Sequence, residues 1–409
     1  MVNLPAPVRR SAEWPADLLD PDTLGPLWKP VPFTHFVVKM HSRCNLACDY
    51  CYLYEMGDES WRSTAKTMSA AVVDRTAARI GEHVRTHGQD RVQLIVHGGE
   101  PLLAGPALIT RMAEAVRREV PASTRVSFGV QTNGLLLNDR MLDTLHALDF
   151  QVGVSVDGGE LANDRHRRFA DGRGSHAAVT EAVARLRDPS RPGLFGGLLC
   201  VIDVANDPVE VYESLLTHRP PMLDFLLPHG NWTTPPPLRE EGSSRTPYGD
   251  WIVRAFDRWY DAPRQETRVK LFEDLLSLVL GGHSRSEQVG IGPATTVTID
   301  TDGAIEQVDT IKSAFDGAAA TGLSVFTDSL DAALRYPAVV ARQIGVEGLS
   351  PTCRKCSIRD VCGGGFFVHR YREGSGFLNP TVYCPDMMRV IDHVRTKVAK
   401  DLASAPAGA

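Results

Sequence analysis

Apolar residues gather in six short runs along the chain, at Phe33 to Met40, Val92 to Val96, Val126 to Val130, Val152 to Val156, Leu194 to Val201 and Leu223 to Leu227. Mostly helix-like stretches separate them. Short continuous apolar runs suit strands, and their alternation with helices predicts a parallel sheet. The stretch from Met68 to Val84 carries apolar residues at helical spacing, with Thr67 and Ser69 as candidate caps before it. Six such units predict an α/β fold, a partial (β/α)6 barrel of TIM-like form. In a barrel the loops at the C-terminal strand ends build the active site, and His97, Asn133 and Asp157 fall there.

The pattern changes after the sixth run. Pro228 to Thr246 is rich in Pro and Gly, and two helical stretches follow, Asp250 to Asp261 and Val269 to Leu280. Thr295 to Asp300, a Thr301-Asp302-Gly303 turn and Ile305 to Val308 read as a hairpin, and Met387 to Leu402 as a final helix. The expected organisation is a Pro-rich lead-in over 1–32, a barrel over 33–230, a helical linker over 231–290 and a separate C-terminal unit over 291–409. No repeat of solenoid period is present.

A chain of 409 residues with 43% hydrophobic residues can bury a large core. Its formal net charge of -6 provides no basic field, so neither nucleic acid nor an anionic membrane is implied as a partner. Residues 1–32 contain no apolar h-region, which argues against a signal peptide or membrane anchor. The expected location is the cytoplasm. In that reducing compartment eight cysteines serve metal binding or catalysis rather than a disulfide framework.

Three of them form C-x3-C-x2-C in His41-Ser42-Arg43-Cys44-Asn45-Leu46-Ala47-Cys48-Asp49-Tyr50-Cys51, directly after the first strand. Three thiolates can bind three irons of a cubane and leave the fourth open to a small molecule. The competing reading is a structural zinc site completed by His41. With Tyr50 just before the last cysteine, the loop resembles the signature of the radical S-adenosylmethionine (SAM) superfamily. That resemblance implies a [4Fe-4S] cluster on Cys44, Cys48 and Cys51. Its open iron would chelate S-adenosyl-L-methionine, and reductive cleavage would give a 5'-deoxyadenosyl radical.

Other segments extend the resemblance. His97-Gly98-Gly99-Glu100-Pro101 is similar to the family's GGEP motif, which implies that Gly98, Gly99 and Glu100 approach the methionine end of the cofactor. Ser155 matches a serine that contacts the cofactor in relatives, and Leu199 the position of a backbone contact to adenine. Arg167 stands where the family places a carboxylate-binding arginine, although Arg165 and Arg168 offer the same fork. Gln131 and Asn133 come from the same rim. Cys200, in an apolar run, reads as a buried small hydrophobe.

The remaining cysteines are Cys353, Cys356, Cys362 and Cys384. Four thiolates can close a site, as a zinc ribbon or as a cluster. After the first motif, this arrangement resembles the SPASM extension of radical SAM enzymes that modify peptides. Phe366 and Val308 stand where that extension has further cysteines, so the resemblance implies one auxiliary [4Fe-4S] cluster rather than two. Asp309 follows the replaced cysteine, where sulfatase-maturing relatives have a proton-accepting aspartate; a plain turn residue is the alternative.

The run Cys362 to Tyr371 and the segment Ile305-Glu306-Gln307-Val308-Asp309 are similar to SPASM maturases that build cyclophanes in ribosomal peptides. The implied reaction links an aromatic side chain to the Cβ of a nearby residue in a precursor peptide, with a flavodoxin- or ferredoxin-type reductant. Formylglycine formation and thioether formation use similar parts. A zinc-binding adaptor is the reading from another class.

Overall fold

The computed structural model describes residues 28–404, so most of the Pro-rich lead-in lies outside the described residues. The six apolar runs become β1 (His35–His41), β2 (Arg91–Gly98), β3 (Arg125–Thr132), β4 (Phe150–Ser155), β5 (Phe195–Val201) and β6 (Met222–Leu226). All pair in parallel and in chain order. Helices follow the strands: α1 (Ala70–His87), α2 (Pro106–Glu119), α3 (Asp139–Ala147), α4 (Glu160–His166), α5 (His176–Leu186) and α6 (Pro208–Leu216). α7 (Pro247–Tyr260) and α8 (Lys270–Val279) occupy the two later helical stretches, and α9 (Cys384–Ser404) is the last helix.

Local chemistry sets these boundaries. Ser69, not Thr67, caps α1 by accepting a hydrogen bond from the Val72 amide, and Gly88 ends the helix at φ 58°. Val72, Val73, Thr76, Ala77, Ile80 and Val84 bury one face of α1. Gly81 on that face lets α2 approach, since a Cβ there would lie 2.4 Å from the Glu119 carbonyl oxygen. The core runs along one face of the sheet, with Phe36, Val38, Met40, Leu94, Val96, Val152, Val154, Leu223 and Phe225 nearly inaccessible to solvent.

Among the described residues the sheet has ten strands and is not closed, in the order β10 (Ala320–Ser324), β9 (Ala304–Glu306), β8 (Thr296–Ile299), β1 to β6, then β7 (Arg268–Val269). β7 (Arg268–Val269) adds two residues beside β6, at the point where the sequence suggested a helix start. The expected hairpin forms as β8 (Thr296–Ile299) and β9 (Ala304–Glu306), with β10 (Ala320–Ser324) beyond it. β8 pairs in parallel with β1, His35 opposite Thr296 and Val38 opposite Ile299. The C-terminal region therefore continues the barrel sheet, and residues 300–309 come up beside the C-terminal end of β1.

That join carries a buried charge cluster. Lys39 of β1 reaches Asp300 at 2.9 Å and Asp309 at 3.3 Å. Lys312 reaches Asp300, Glu306 and Asp58 at 3.2, 2.9 and 3.4 Å. Trp251 is buried against Phe225, while Trp232 and Trp259 are half-buried against the core; their indole N–H groups donate to the carbonyls of Asn206, Pro380 and Thr267. These tryptophans pack in or against the core. Among the described residues no helix is long and apolar enough to cross a membrane.

Candidate active site

A cavity of about 310 Å³ opens at the C-terminal ends of β1 to β6, within the size range of small-molecule sites. Cys44, Cys48 and Cys51 line it on a loop tied down at several points. The Ala47 amide donates to the Arg168 carbonyl (2.7 Å), and the Cys51 amide to that of Cys48 (3.2 Å). Burial pushes the Cys48 thiol up to about 11 and the Cys51 thiol up to about 12, and neighbouring sulfurs add to both. Burial raises Cys44 as well. Converging buried thiols ionise readily only against compensating positive charge, which bound metal supplies.

The glycine motif supports that loop from below. The Gly99 amide donates to the His41 carbonyl (2.9 Å) and the Glu100 amide to the Arg43 carbonyl (2.9 Å). A Cβ on Gly98, at φ +142°, would lie 2.2 Å from the His41 oxygen; one on Gly99 would meet the Arg43 carbonyl at 2.6 Å. Both glycines line the cavity and are also required by the contact between β2 and the cysteine loop. Glu100 is fully buried and does not line the cavity. Its carboxylate accepts from the Leu102 amide (2.9 Å), the Thr132 hydroxyl (2.8 Å) and the Asn133 amide (2.8 Å). Glu100 thus fastens the end of β2 to the end of β3.

The opposite wall is polar. Asn133 donates to Asn45 (2.7 Å) and to the Cys44 sulfur (3.6 Å), and Gln131 donates to Ser155 (2.9 Å). Of the basic run only Arg167 turns inward, 7% exposed. Arg165 pairs with Asp203 at 2.5 Å and Arg168 donates to the Asp164 carbonyl at 2.6 Å. Arg167 Nη1 donates to the Tyr50 hydroxyl (2.9 Å), which donates to Asp157. Asp157 also accepts from the Val201 amide (2.9 Å). Burial opposes the Arg167 charge, yet Tyr50 and Asp157 hold its pKa above the usual value. Its Nε is buried without a hydrogen-bond partner, an unused donor on a rim that an anionic ligand group would satisfy. Leu199 completes this side, and Cys200 is buried behind it.

The rest of the lining is aromatic or apolar: Tyr52, Tyr54, Leu226, Leu227, Pro228 and His229. Asp309 lies behind it, 4% exposed. It accepts from the Tyr52 hydroxyl (3.0 Å) and stands 3.8 Å from His97 Nδ1. Burial alone would raise its pKa, but Lys39, Lys312 and His97 outweigh that and hold it below the ordinary carboxylate value. Asp309 is thus no plain turn residue, and it meets the cavity through Tyr52 and His97. Burial lowers His229 to about 4, and its Nδ1 has no hydrogen-bond partner. The Tyr52 ring packs edge-on against His229 at 4.8 Å.

Cys353, Cys356, Cys362 and Cys384 face one another at a second place. Burial pushes Cys362 up to about 12, with Cys384 and Cys353 adding to it, and Cys384 is raised by burial and by Cys353 and Cys356. Gly363, Gly364 and Gly365 all have positive φ and curl around Arg370, whose Nη2 donates to the carbonyls of Gly363 (2.6 Å) and Gly365 (2.7 Å). Phe366 and Val308 pack with aromatic side chains: Phe366 lies 5.9 Å from His229 and 5.4 Å from His369, and Val308 packs against the cluster of Phe367, Tyr371 and Phe377.

Tetrahedral zinc holds sulfurs at about 2.3 Å and hence about 3.8 Å from each other. Among the described residues the one trio of potential ligand atoms within 4.8 Å of each other is His83, His87 and Asp331. Neither cysteine set is that tight, and His41 Nδ1 is engaged with the Arg43 backbone (3.1 Å).

Residues 38–214 match the family model of the Radical SAM superfamily. The chain carries a radical SAM domain. Around it, the chain is 24% identical over 366 residues to the serine-type anaerobic sulfatase-maturating enzyme of Klebsiella aerogenes, covering 85% of this chain and 83% of that one. Its fold is similar to that of anSMEcpe, solved with bound AdoMet and Cp18Cys peptide, at TM-score 0.73 and 20% identity, covering 91% of this chain and 100% of that one. SuiB of Streptococcus suis, solved with its precursor peptide SuiA, gives TM-score 0.57 and 13% identity, with 87% and 76% covered.

The match spans β1 to α6, whose C-terminal strand ends form most of the cavity; β6, Pro228, His229 and Thr310 beyond it complete the lining. Sequence reasoning passed over the lining residues Tyr52, Tyr54 and His229 and over the buried Lys39. Tyr52 and Tyr54 alternate directly after Cys51, and His229 follows β6 at the C-terminal end of a strand; the rule that located Asn133 would have located His229. Lys39 carried no signal, because its partners are more than 250 positions away.

Proposed function

We propose that the protein is a radical SAM peptide maturase that joins an aromatic side chain of a ribosomally made precursor peptide to the Cβ of a nearby residue. The observation that carries this reading is the division of the cavity. Three thiols, a polar wall with an unused guanidinium donor, and an aromatic wall backed by an ionised carboxylate meet in one space.

In this reading Cys44, Cys48 and Cys51 hold the [4Fe-4S] cluster that binds S-adenosyl-L-methionine. The bound cluster and cofactor supply the one-electron chemistry that removes a Cβ hydrogen from the peptide. Arg167, Asn133, Gln131 and Ser155 orient the polar end of the cofactor, and the Leu199 backbone lies against its adenine. Tyr50 and Asp157 hold the Arg167 guanidinium in place. Gly98 and Gly99, which line the cavity, approach the methionine end of the cofactor and also support the cysteine loop, while the Glu100 carboxylate ties β2 to β3.

Tyr52, Leu226, Leu227, Pro228 and His229 hold the peptide's aromatic ring and exclude water and stray hydrogen donors. After the new C–C bond forms, the ring loses one electron and one proton. The Tyr52 hydroxyl can accept the proton while passing its own to Asp309, which is ionised at neutral pH. Cys353, Cys356, Cys362 and Cys384 hold one auxiliary [4Fe-4S] cluster, the nearest one-electron acceptor or a structural support, in a C-terminal SPASM unit. A ferredoxin or flavodoxin supplies the initiating electron.

The second reading, formylglycine formation, draws on the likeness to the Klebsiella enzyme. Co-expression with precursor peptides separates the two. Crosslinking and serine oxidation both remove two hydrogens, but only the aldehyde reacts with hydrazine. A product two hydrogens lighter, inert to hydrazine and linked in fragmentation spectra supports the crosslink; a hydrazone overturns it. Asp309→Asn should lower crosslinked peptide per deoxyadenosine by at least about 100-fold, the usual scale for a lost proton acceptor.

A further inference from the structure

On the far side of β1, away from the cavity, α1 ends beside the segment that follows β10. His83 and His87 stand four residues apart on one face of α1. Asp331, in the short helix Leu330–Leu334, points at both: its Oδ1 lies 2.5 Å from His83 Nδ1 and 3.0 Å from His87 Nε2. The three potential ligand atoms all lie within 4.8 Å of one another.

We propose that His83, His87 and Asp331 form a divalent transition-metal site, of the zinc class, that clips the end of α1 to the C-terminal region. Two imidazoles and a carboxylate are three ligands of a tetrahedral zinc site with one position left for water. The exposure fits this division: the His83 side chain is 1% exposed, while His87 and Asp331 are 23% and 37% exposed, so solvent reaches the fourth position. His83 is held among Phe33, Phe36 and His87, with ring centroids 5.8, 6.0 and 4.6 Å away.

Without metal, one carboxylate oxygen must accept from both rings. An ion about 2.1 Å from each ligand would replace both protons and set the ligands about 3.4 Å apart. The half-exposed Asp331 side chain can make that adjustment. His87 is the last residue of α1, where the free carbonyls favour a cation. The site also adds to an existing seam, since Arg75 and Arg79 both donate to the Val325 carbonyl, at 3.0 and 2.9 Å. Hard and borderline ligands make this site chemically distinct from the cysteine sets.

The test uses the holoenzyme with both iron sites filled, equilibrated with zinc(II) and desalted. One zinc per chain is expected, with N/O scatterers near 2.0–2.1 Å in X-ray absorption, no sulfur shell near 2.3 Å, and a higher unfolding temperature than the zinc-free form. His87→Ala and Asp331→Asn, both at accessible positions, should each lose the zinc and the thermal shift while iron content and deoxyadenosine formation stay at wild-type levels. Zinc that washes off, zinc with a sulfur shell, or zinc kept by both variants would overturn the site. None of these readouts depends on the peptide reaction.

Discussion

Gly99→Ala tests how the cysteine loop is held. The added Cβ would lie 2.6 Å from the Arg43 carbonyl carbon and oxygen, and 1.9 Å from the Tyr54 hydroxyl. The hydroxyl can swing aside, but the backbone must retreat by about 0.8 Å to reach an ordinary contact near 3.4 Å. That displacement acts on the residue next to Cys44 and stretches the two amide bonds, to His41 and Arg43, that fix the loop to β2. Overpacking costs about 1–3 kcal/mol and each weakened hydrogen bond about 1 kcal/mol or less. The combined penalty of about 2–4 kcal/mol corresponds to roughly 30- to 1000-fold weaker retention of whatever the three thiols hold. After anaerobic reconstitution the variant should fall from about eight irons per chain towards four, as loss of one of two cubanes requires. Adding Tyr54→Ala should not restore the loss, because the decisive contact is with backbone. A Gly99→Ala protein that keeps all its iron and cleaves the cofactor normally, or rescue by Tyr54→Ala, would refute the argument.

Two further outcomes concern the charge cluster. Burial, with Asp300 and Asp309 adding to it, pushes Glu306 up to about 7 although Lys312 is 2.9 Å away. The folded chain thus binds this proton more tightly than the unfolded one, so the associated stability is complete below about pH 4.5 and is lost as pH rises to about 7. Glu306→Gln has no such loss, and its stability relative to wild type should improve by up to about 3 kcal/mol between pH 4.5 and 8; a gap in urea-unfolding free energy that does not change with pH would contradict this. Lys39→Met should cost about 3–5 kcal/mol by leaving the buried Asp309 without its lysine partner and Asp300 with Lys312 alone, and a midpoint within experimental error of wild type would show that the cluster does not hold the hairpin to β1.

The strands and their order were legible because each is a short apolar run, and parallel pairing follows when helices lie between. The grouping of the cysteines into two sets was legible by spacing, while a cluster rather than zinc at each is what the resemblance implied. What sequence could not carry is the pairing of β8 with β1: its apolar run is four residues long, and its partner strand is about 260 positions away. The same pairing brings Asp300 and Asp309 to Lys39, so the state of Asp309 was equally out of reach. Glu100 shows the other limit. Motif resemblance directed it to the cofactor, while its carboxylate is fully occupied by Leu102, Thr132 and Asn133. The choice among Arg165, Arg167 and Arg168 needed the fold too, because it turns on which side of a short loop faces inward.

The most direct measurement is iron content and 5'-deoxyadenosine formation, after anaerobic reconstitution and addition of dithionite and S-adenosyl-L-methionine, for wild type and for Cys44→Ala/Cys48→Ala/Cys51→Ala. The account predicts about eight irons and deoxyadenosine from wild type, and about four irons with no deoxyadenosine from the variant. Tightly bound zinc at the cysteines and no deoxyadenosine from wild type would contradict it.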